Sequence, residues 1–202
     1  MHFILNNWPL TFICAAMIAS AVIDGWKLKV PNWLTFPVIL SGWGLGLLHS
    51  CGWLVESTGS GGIGASLLTT GLGFMLLFPL YAIGGMGGGD VKMQMGFGAW
   101  IGSFFGMRAV EGVHPGAGWI LVSAFCLAAI IGGVLALGMM MIRGQWKTNV
   151  NNARAILGDL AGLSVSKAAD RAAQRKSRMH LLPYGIPLCL GFISYLIYLH
   201  GA

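Results

Sequence analysis

The chain has 202 residues, of which 56% are hydrophobic and only 9% charged, with a mean hydropathy of +0.75 and a formal net charge of +6. Soluble domains carry about a quarter charged residues, so this composition excludes an ordinary water-soluble domain and marks a membrane protein. The length suits several spans and leaves no room for a large soluble domain beside them.

A hydrocarbon core of roughly 30 Å takes about 20 apolar residues per helix. In chain order the apolar segments are Trp8–Ile23, Trp33–Leu48, Ile63–Ile83, Met95–Met107, Gly118–Ile142 and Leu181–Leu199. They predict an all-α fold, a polytopic bundle of about six transmembrane helices forming one domain over residues 1–202. The opening residues have no basic n-region and no small-residue cleavage pattern, so the first run is expected to remain as a span. The fourth run is short and glycine-rich, which suits a tilted or partly spanning helix; if it did not cross, the later topology would invert.

Positive charge supports six crossings. The alternate connections that begin at Gly25, Gly84 and Arg143 carry eleven of the twelve lysines and arginines and leave only Arg108 on the other side. The positive-inside rule then puts those connections in the cytoplasm and both termini outside, in the inner (cytoplasmic) membrane. The segment Arg143–His180 has a net charge of +6, from eight Lys and Arg against Asp159 and Asp170. It is expected to rest on anionic lipid headgroups, with Lys167–Arg178 as an amphipathic surface helix; docking of an acidic or helical partner is the alternative. No nucleic-acid-binding motif accompanies the charge.

Carboxylates are scarce, and one at membrane depth is a functional candidate because it is costly to keep there. Glu56 and Glu111 fall in short outer connections, and Asp159 and Asp170 in the basic segment. Asp24 closes the first apolar run, whereas Asp90 follows a cluster of five glycines within Gly84–Gly89. Two spans separate the pair, so both return to the same membrane face and are able to meet there.

Two carboxylates in one site do not readily both ionise, so the pair offers one general base and one general acid. Such a pair activates water against a peptide carbonyl and protonates the leaving amine, as in aspartyl proteolysis. The structural alternative pairs Asp24 with Lys27 or Lys29 and makes Asp90 a helix cap. Gly87, Gly88 and Gly89 are expected to form a tight turn, using glycine's freedom at positive φ, that presents Asp90 without side-chain obstruction. A phosphate-binding loop fits worse, since the run ends Gly-Asp-Val-Lys and lacks the Gly-Lys-Ser/Thr ending.

No cofactor or metal is inferred. Cys14, Cys51, Cys126 and Cys189 form no paired motif and read as small buried apolar residues, and the histidines lack metal-ligand spacing.

With these residues in view, the chain resembles the type IV prepilin peptidases, a branch of the G-x-G-D membrane aspartyl proteases. Gly87-Gly88-Gly89-Asp90 matches G-x-G-D, and Asp24 with Val30-Pro31-Asn32 matches the family's D-x5-[IV]-P-N segment. The stretch "GGGDVKMQMGFGAWIG" and the late "LPYGIP", Leu182–Pro187, are similar to family sequence as well. The resemblance implies that Asp24 and Asp90 are catalytic and that the substrate is the signal helix of a prepilin or pseudopilin, cut from its short basic leader at the cytoplasmic face. Larger members carry a methyltransferase part with paired cysteines, absent here, so the chain is similar to the small peptidase-only enzymes of tight-adherence (Tad/Flp) pili; the archaeal preflagellin and prepilin peptidases, which are also small, are the alternative.

The remaining site candidates have structural alternatives. Lys92 either stabilises an ionised carboxylate or anchors at the headgroups. Pro31 and Asn32 are expected to start the second helix with a Pro turn and a polar cap, and Pro183, Tyr184 and Gly185 to break the start of the sixth beside the site. Two rival functions remain at this point. A presenilin-like intramembrane protease shares G-x-G-D, but its Tyr-Asp and Pro-Ala-Leu motifs are replaced here by Ile23-Asp24 and Pro183-Tyr184-Gly185. A small transporter or assembly scaffold would set the two aspartates on an ion path. The sequence assigns no oligomeric state.

Overall fold

A computed structural model of the chain describes residues 7–27, 29–53, 61–82, 86–109, 115–143 and 184–201. Among them are six helices and no strand: α1 (Trp8–Lys27), α2 (Asn32–Ser50), α3 (Ile63–Ala82), α4 (Gly88–Phe105), α5 (Ala117–Arg143) and α6 (Gly185–Gly201). Three of these are long and apolar enough to cross a membrane, over Trp8–Lys27, Ile63–Ala82 and Ala117–Met139, while α6 adds a shorter apolar stretch, Gly185–Leu199. The protein is therefore an all-α polytopic membrane protein. The basic segment beyond Arg143, with its expected surface helix, lies outside the described residues, as does Pro183.

The polypeptide runs up and down. At one end the His49 ring bonds the Ser103 carbonyl, the Gly61 N–H donates to that same carbonyl, and the Ala117 N–H donates to the Gly106 carbonyl. At the other end the starts of α2, α4 and α6 meet the ends of α1 and α3, which is where Asp24 and Asp90 lie. Exposed aromatics occur at both levels, with Trp26, Trp33 and Tyr81 at the aspartate end and Trp8, Trp53, Trp119 and Tyr198 at the opposite one. Between these belts the outward faces are apolar, as with Leu40, Leu68, Ile130 and Val134. Such extensive exposed apolar surface is what lipid solvates.

α4 is the centre. Every residue from Gly96 to Phe105 is buried, and the helix packs on α3 and α2 most extensively and on α1 and α5 less. Its apolar side joins Phe97 to Phe192 of α6, with ring centroids 3.9 Å apart. Its small side lets α3 approach, because Gly98 and Gly102 face the Thr69 and Ala65 backbone where a Cβ would collide. Hydroxyls complete that seam: Ser66 Oγ donates to the Ala99 carbonyl at 2.8 Å, and Thr69 Oγ1 to the Gly98 carbonyl at 2.7 Å. Glycine contact and polar cross-bonding are how membrane helices associate where the hydrophobic effect offers little between them.

Two expectations are corrected. The fourth helix starts at Gly88, seven residues before the apolar run at Met95, because its first turns are shielded by neighbouring helices and need not be apolar. The cysteines are not uniformly buried: Cys189 is, Cys14 is half-buried, and Cys51 and Cys126 are exposed. An apolar segment that faces lipid leaves its small residues at the surface.

Candidate active site

Asp24 sits in the last turn of α1 rather than just beyond the helix, and only 3% of its surface is exposed. Its Oδ2 accepts a hydrogen bond from the Gly185 N–H at 2.9 Å. That N–H belongs to the first residue of α6, one of the donors that a helix start leaves without an intrahelical partner. The carboxylate thus caps a different helix and lies at its positive dipole end. Gly185 has to be glycine here, since a Cβ would stand 2.9 Å from both Cβ and Oδ2 of Asp24.

Asp90, 5% exposed, is the third residue of α4. Its Oδ2 accepts from the Gly87 N–H at 3.3 Å, which is the carboxylate half of a capping box. Asp90 is therefore not itself the N-cap; Gly87 is, with φ −81° and ψ 147°. The other oxygen, Oδ1, is buried without a partner in the protein.

Positive φ is not what the three glycines supply, because the positive-φ glycines among the described residues are Gly52 and Gly106. The reason for glycine is proximity. A Cβ on Gly89 would meet the Val30 carbonyl oxygen at 2.9 Å and its N and Cβ at 3.0 Å, and one on Gly88 would meet the Tyr81 ring at 3.3 Å. Val30 belongs to the short connection between α1 and α2, so this contact draws the two motif segments together.

The two carboxylates lie within electrostatic range of each other, and Tyr184, half-buried just ahead of α6, lies within range of Asp90. Residues far apart in the chain, Asp24, Asp90, Tyr184 and Gly185, thereby form one buried cluster at the end of the bundle. Lys92 takes a different place. Its Nζ donates to Asn32 Oδ1 at 2.8 Å and stands 4.8 Å from the centre of the Phe36 ring. Asn32 is consequently the first residue of α2 and a partner of Lys92 rather than a cap, and Pro31, at the N-cap position, makes no side-chain capping bond.

One residue of this neighbourhood is absent from the sequence-derived candidates. Gln94 lies one turn after Asp90 and is fully buried. An amide inside the otherwise apolar and glycine-rich start of a span was the available signal.

The model of the type IV leader peptidase family matches residues 11–137, well over half of the chain and inclusive of both aspartates. The chain belongs to that family and is a membrane peptidase. No curated protein and no solved structure matches it.

Proposed function

We propose that the protein is a membrane-embedded aspartyl endopeptidase that removes the short basic leader from type IV prepilins or pseudopilins, with Asp24 and Asp90 as its catalytic pair. The observation that carries this reading is the convergence of two buried carboxylates, within electrostatic range, inside the segment that matches the leader-peptidase family. Structural ion-pair networks hold carboxylates beside cations, whereas these two lie within electrostatic range of each other.

The chemistry follows from that arrangement. Two carboxylates that feel each other's charge favour sharing one proton, and the protonation states then belong to the pair rather than to either residue. The ionised member takes a proton from water as the water oxygen bonds to the peptide carbonyl carbon. The protonated member donates to the amide nitrogen as the C–N bond breaks, leaving a leader carboxylate and a new amine. Backbone N–H groups of Gly87 and Gly185 hold Oδ2 of each carboxylate, which fixes the two side chains and leaves oxygen lone pairs to take up a proton. Gly88 and Gly89 keep the α4 start free of side chains, Lys92 with Asn32 ties α4 to α2, and Tyr184 borders Asp90.

The working protein is a multi-pass protein of the inner membrane with its site at the cytoplasmic face, where a prepilin's basic leader emerges from its membrane helix. Lys27, Lys29 and Lys92 share the aspartate end and Arg108 the other, in the sense that positive-inside bias requires. Anionic headgroups are the partner that the net charge of +6 on the segment Arg143–His180 suits. Co-expression with a prepilin from the same genome, read by intact mass of the prepilin N-terminus, tests the reading. Leader loss is expected with the wild type and not with Asp24→Asn or Asp90→Asn at matched membrane levels; leader loss with all three proteins would overturn it.

A further inference from the structure

Among the described residues, the buried side-chain oxygens and nitrogens without a partner in the protein are Thr35 Oγ1, Asp90 Oδ1 and both amide atoms of Gln94. Three of these four atoms belong to two residues one helical turn apart. Buried polar groups are nearly always hydrogen-bonded, and a leucine or methionine would fill position 94 without leaving an amide unpaired. The amide is therefore unfavourable for packing alone, which points to a use for it.

Geometry supplies that use. Side chains on a helix lean toward its N-terminus, so a long side chain at position 94 covers the turn that holds residue 90. Gln and Asp four residues apart are a known hydrogen-bonding pair. The opposite side is closed by α3, whose Gly73 faces this turn so tightly that a Cβ there would stand 2.8 Å from the Gln94 carbonyl oxygen and 3.4 Å from its Cγ. Enclosed in this way, the Gln94 amide has neither lipid nor bulk water to bond.

We propose that Gln94 is a positioning residue of the catalytic pair, its Nε2–H donating to Asp90 Oδ1 in the reacting complex while the Gly87 N–H holds Oδ2. This inference rests on the leader-peptidase reading above. Gripped at both oxygens by donors, the Asp90 carboxyl has a fixed plane. Each donor favours the ionised form of the carboxylate that it holds, so without the Gln94 donor the pair is harder to ionise.

The test uses purified enzyme in detergent with a prepilin from the same genome, comparing wild type, Gln94→Met and, as a second apolar variant, Gln94→Leu. Loss of a hydrogen bond to a charged group lowers kcat by about ten- to a hundredfold, with KM unchanged. The acid limb of the pH–rate profile moves to higher pH, because the base ionises less readily without its donor. Other titratable groups at this end, Asp24 and Lys27 of α1, Lys29, Tyr81 of α3, Lys92 of α4 and Tyr184 ahead of α6, are the same in all variants. Melting temperatures equal to or above wild type are expected, since an unpaired buried amide has been removed. Wild-type turnover and an unmoved profile would overturn the proposal, as would a loss of rate that tracks a lowered melting temperature with the profile unchanged. Asp24→Asn and Asp90→Asn run in parallel separate the two levels: if they cleave, the catalytic pair itself is wrong; if they are silent and Gln94→Met is normal, only the role of Gln94 fails.

Discussion

Replacing Gly185 by alanine tests whether the start of α6 sets the catalytic geometry. An added Cβ would stand 2.9 Å from Cβ and Oδ2 of Asp24 and 3.2 Å from its Cγ, whereas carbon atoms in contact rest about 3.5–4.0 Å apart. The obstructed atoms include the root of the Asp24 side chain, so a rotamer change does not relieve the overlap. Either α6 or the end of α1 must retreat by roughly 0.6–1 Å, which stretches the 2.9 Å bond from the Gly185 N–H toward the limit of hydrogen bonding. A hydrogen bond to a charged group contributes about 1.5–3 kcal/mol, and misplacement of a reacting group by about 1 Å costs up to about a hundredfold in rate. Gly185→Ala should therefore lower kcat by about ten- to a hundredfold at an unchanged membrane level. The assay is the initial rate of leader removal from purified prepilin by enzyme quantified in detergent. Wild-type turnover by this variant would show that the Asp24–Gly185 contact does not position the reaction.

Gly89→Ala pushes the start of α4 off the Val30 backbone, so it should slow cleavage by about tenfold or more; rates at saturating prepilin check it, and a normal rate would mean that the α1–α2 connection is free to move aside. Ser66→Ala removes the one O–H that the Ala99 and Gly42 carbonyls, 2.8 and 3.3 Å away, are placed to accept. Interhelical bonds of this kind contribute about 0.6 kcal/mol on average, so the melting temperature in detergent should fall by a few degrees while kcat stays within twofold of wild type.

Much of this architecture is legible in the sequence, for definable reasons. The spans stand out because lipid demands apolar runs of a set length, and Asp24 and Asp90 because a carboxylate inside such runs is costly. The start of α4 does not stand out. Gly88 and Gly89 look like helix breakers, yet the Val30 backbone leaves no room for a Cβ on Gly89 and the Tyr81 ring only a tight fit for one on Gly88, and tertiary packing overrides local propensity.

The contacts that complete the site join residues far apart in the chain, 161 positions between Asp24 and Gly185 and 60 between Asn32 and Lys92. No local pattern encodes such pairs, so Lys92 reads from sequence as a partner for a carboxylate or an anchor at the headgroups when its hydrogen bond goes to Asn32. Gln94 escapes notice for a related reason. Burial without a partner is what distinguishes it, and burial is a property of the assembled bundle.

The central claim is that Asp24 and Asp90 act as one unit, and a double-mutant cycle on purified enzyme measures it directly. Residues that work as a unit are strongly non-additive in their effects on rate. Single-turnover rates of prepilin cleavage for Asp24→Asn, Asp90→Asn and the double variant should fall to one common floor, with either single change as damaging as both. Two partial losses that multiply in the double variant, or a single variant that still cuts at a substantial fraction of the wild-type rate, would contradict the account.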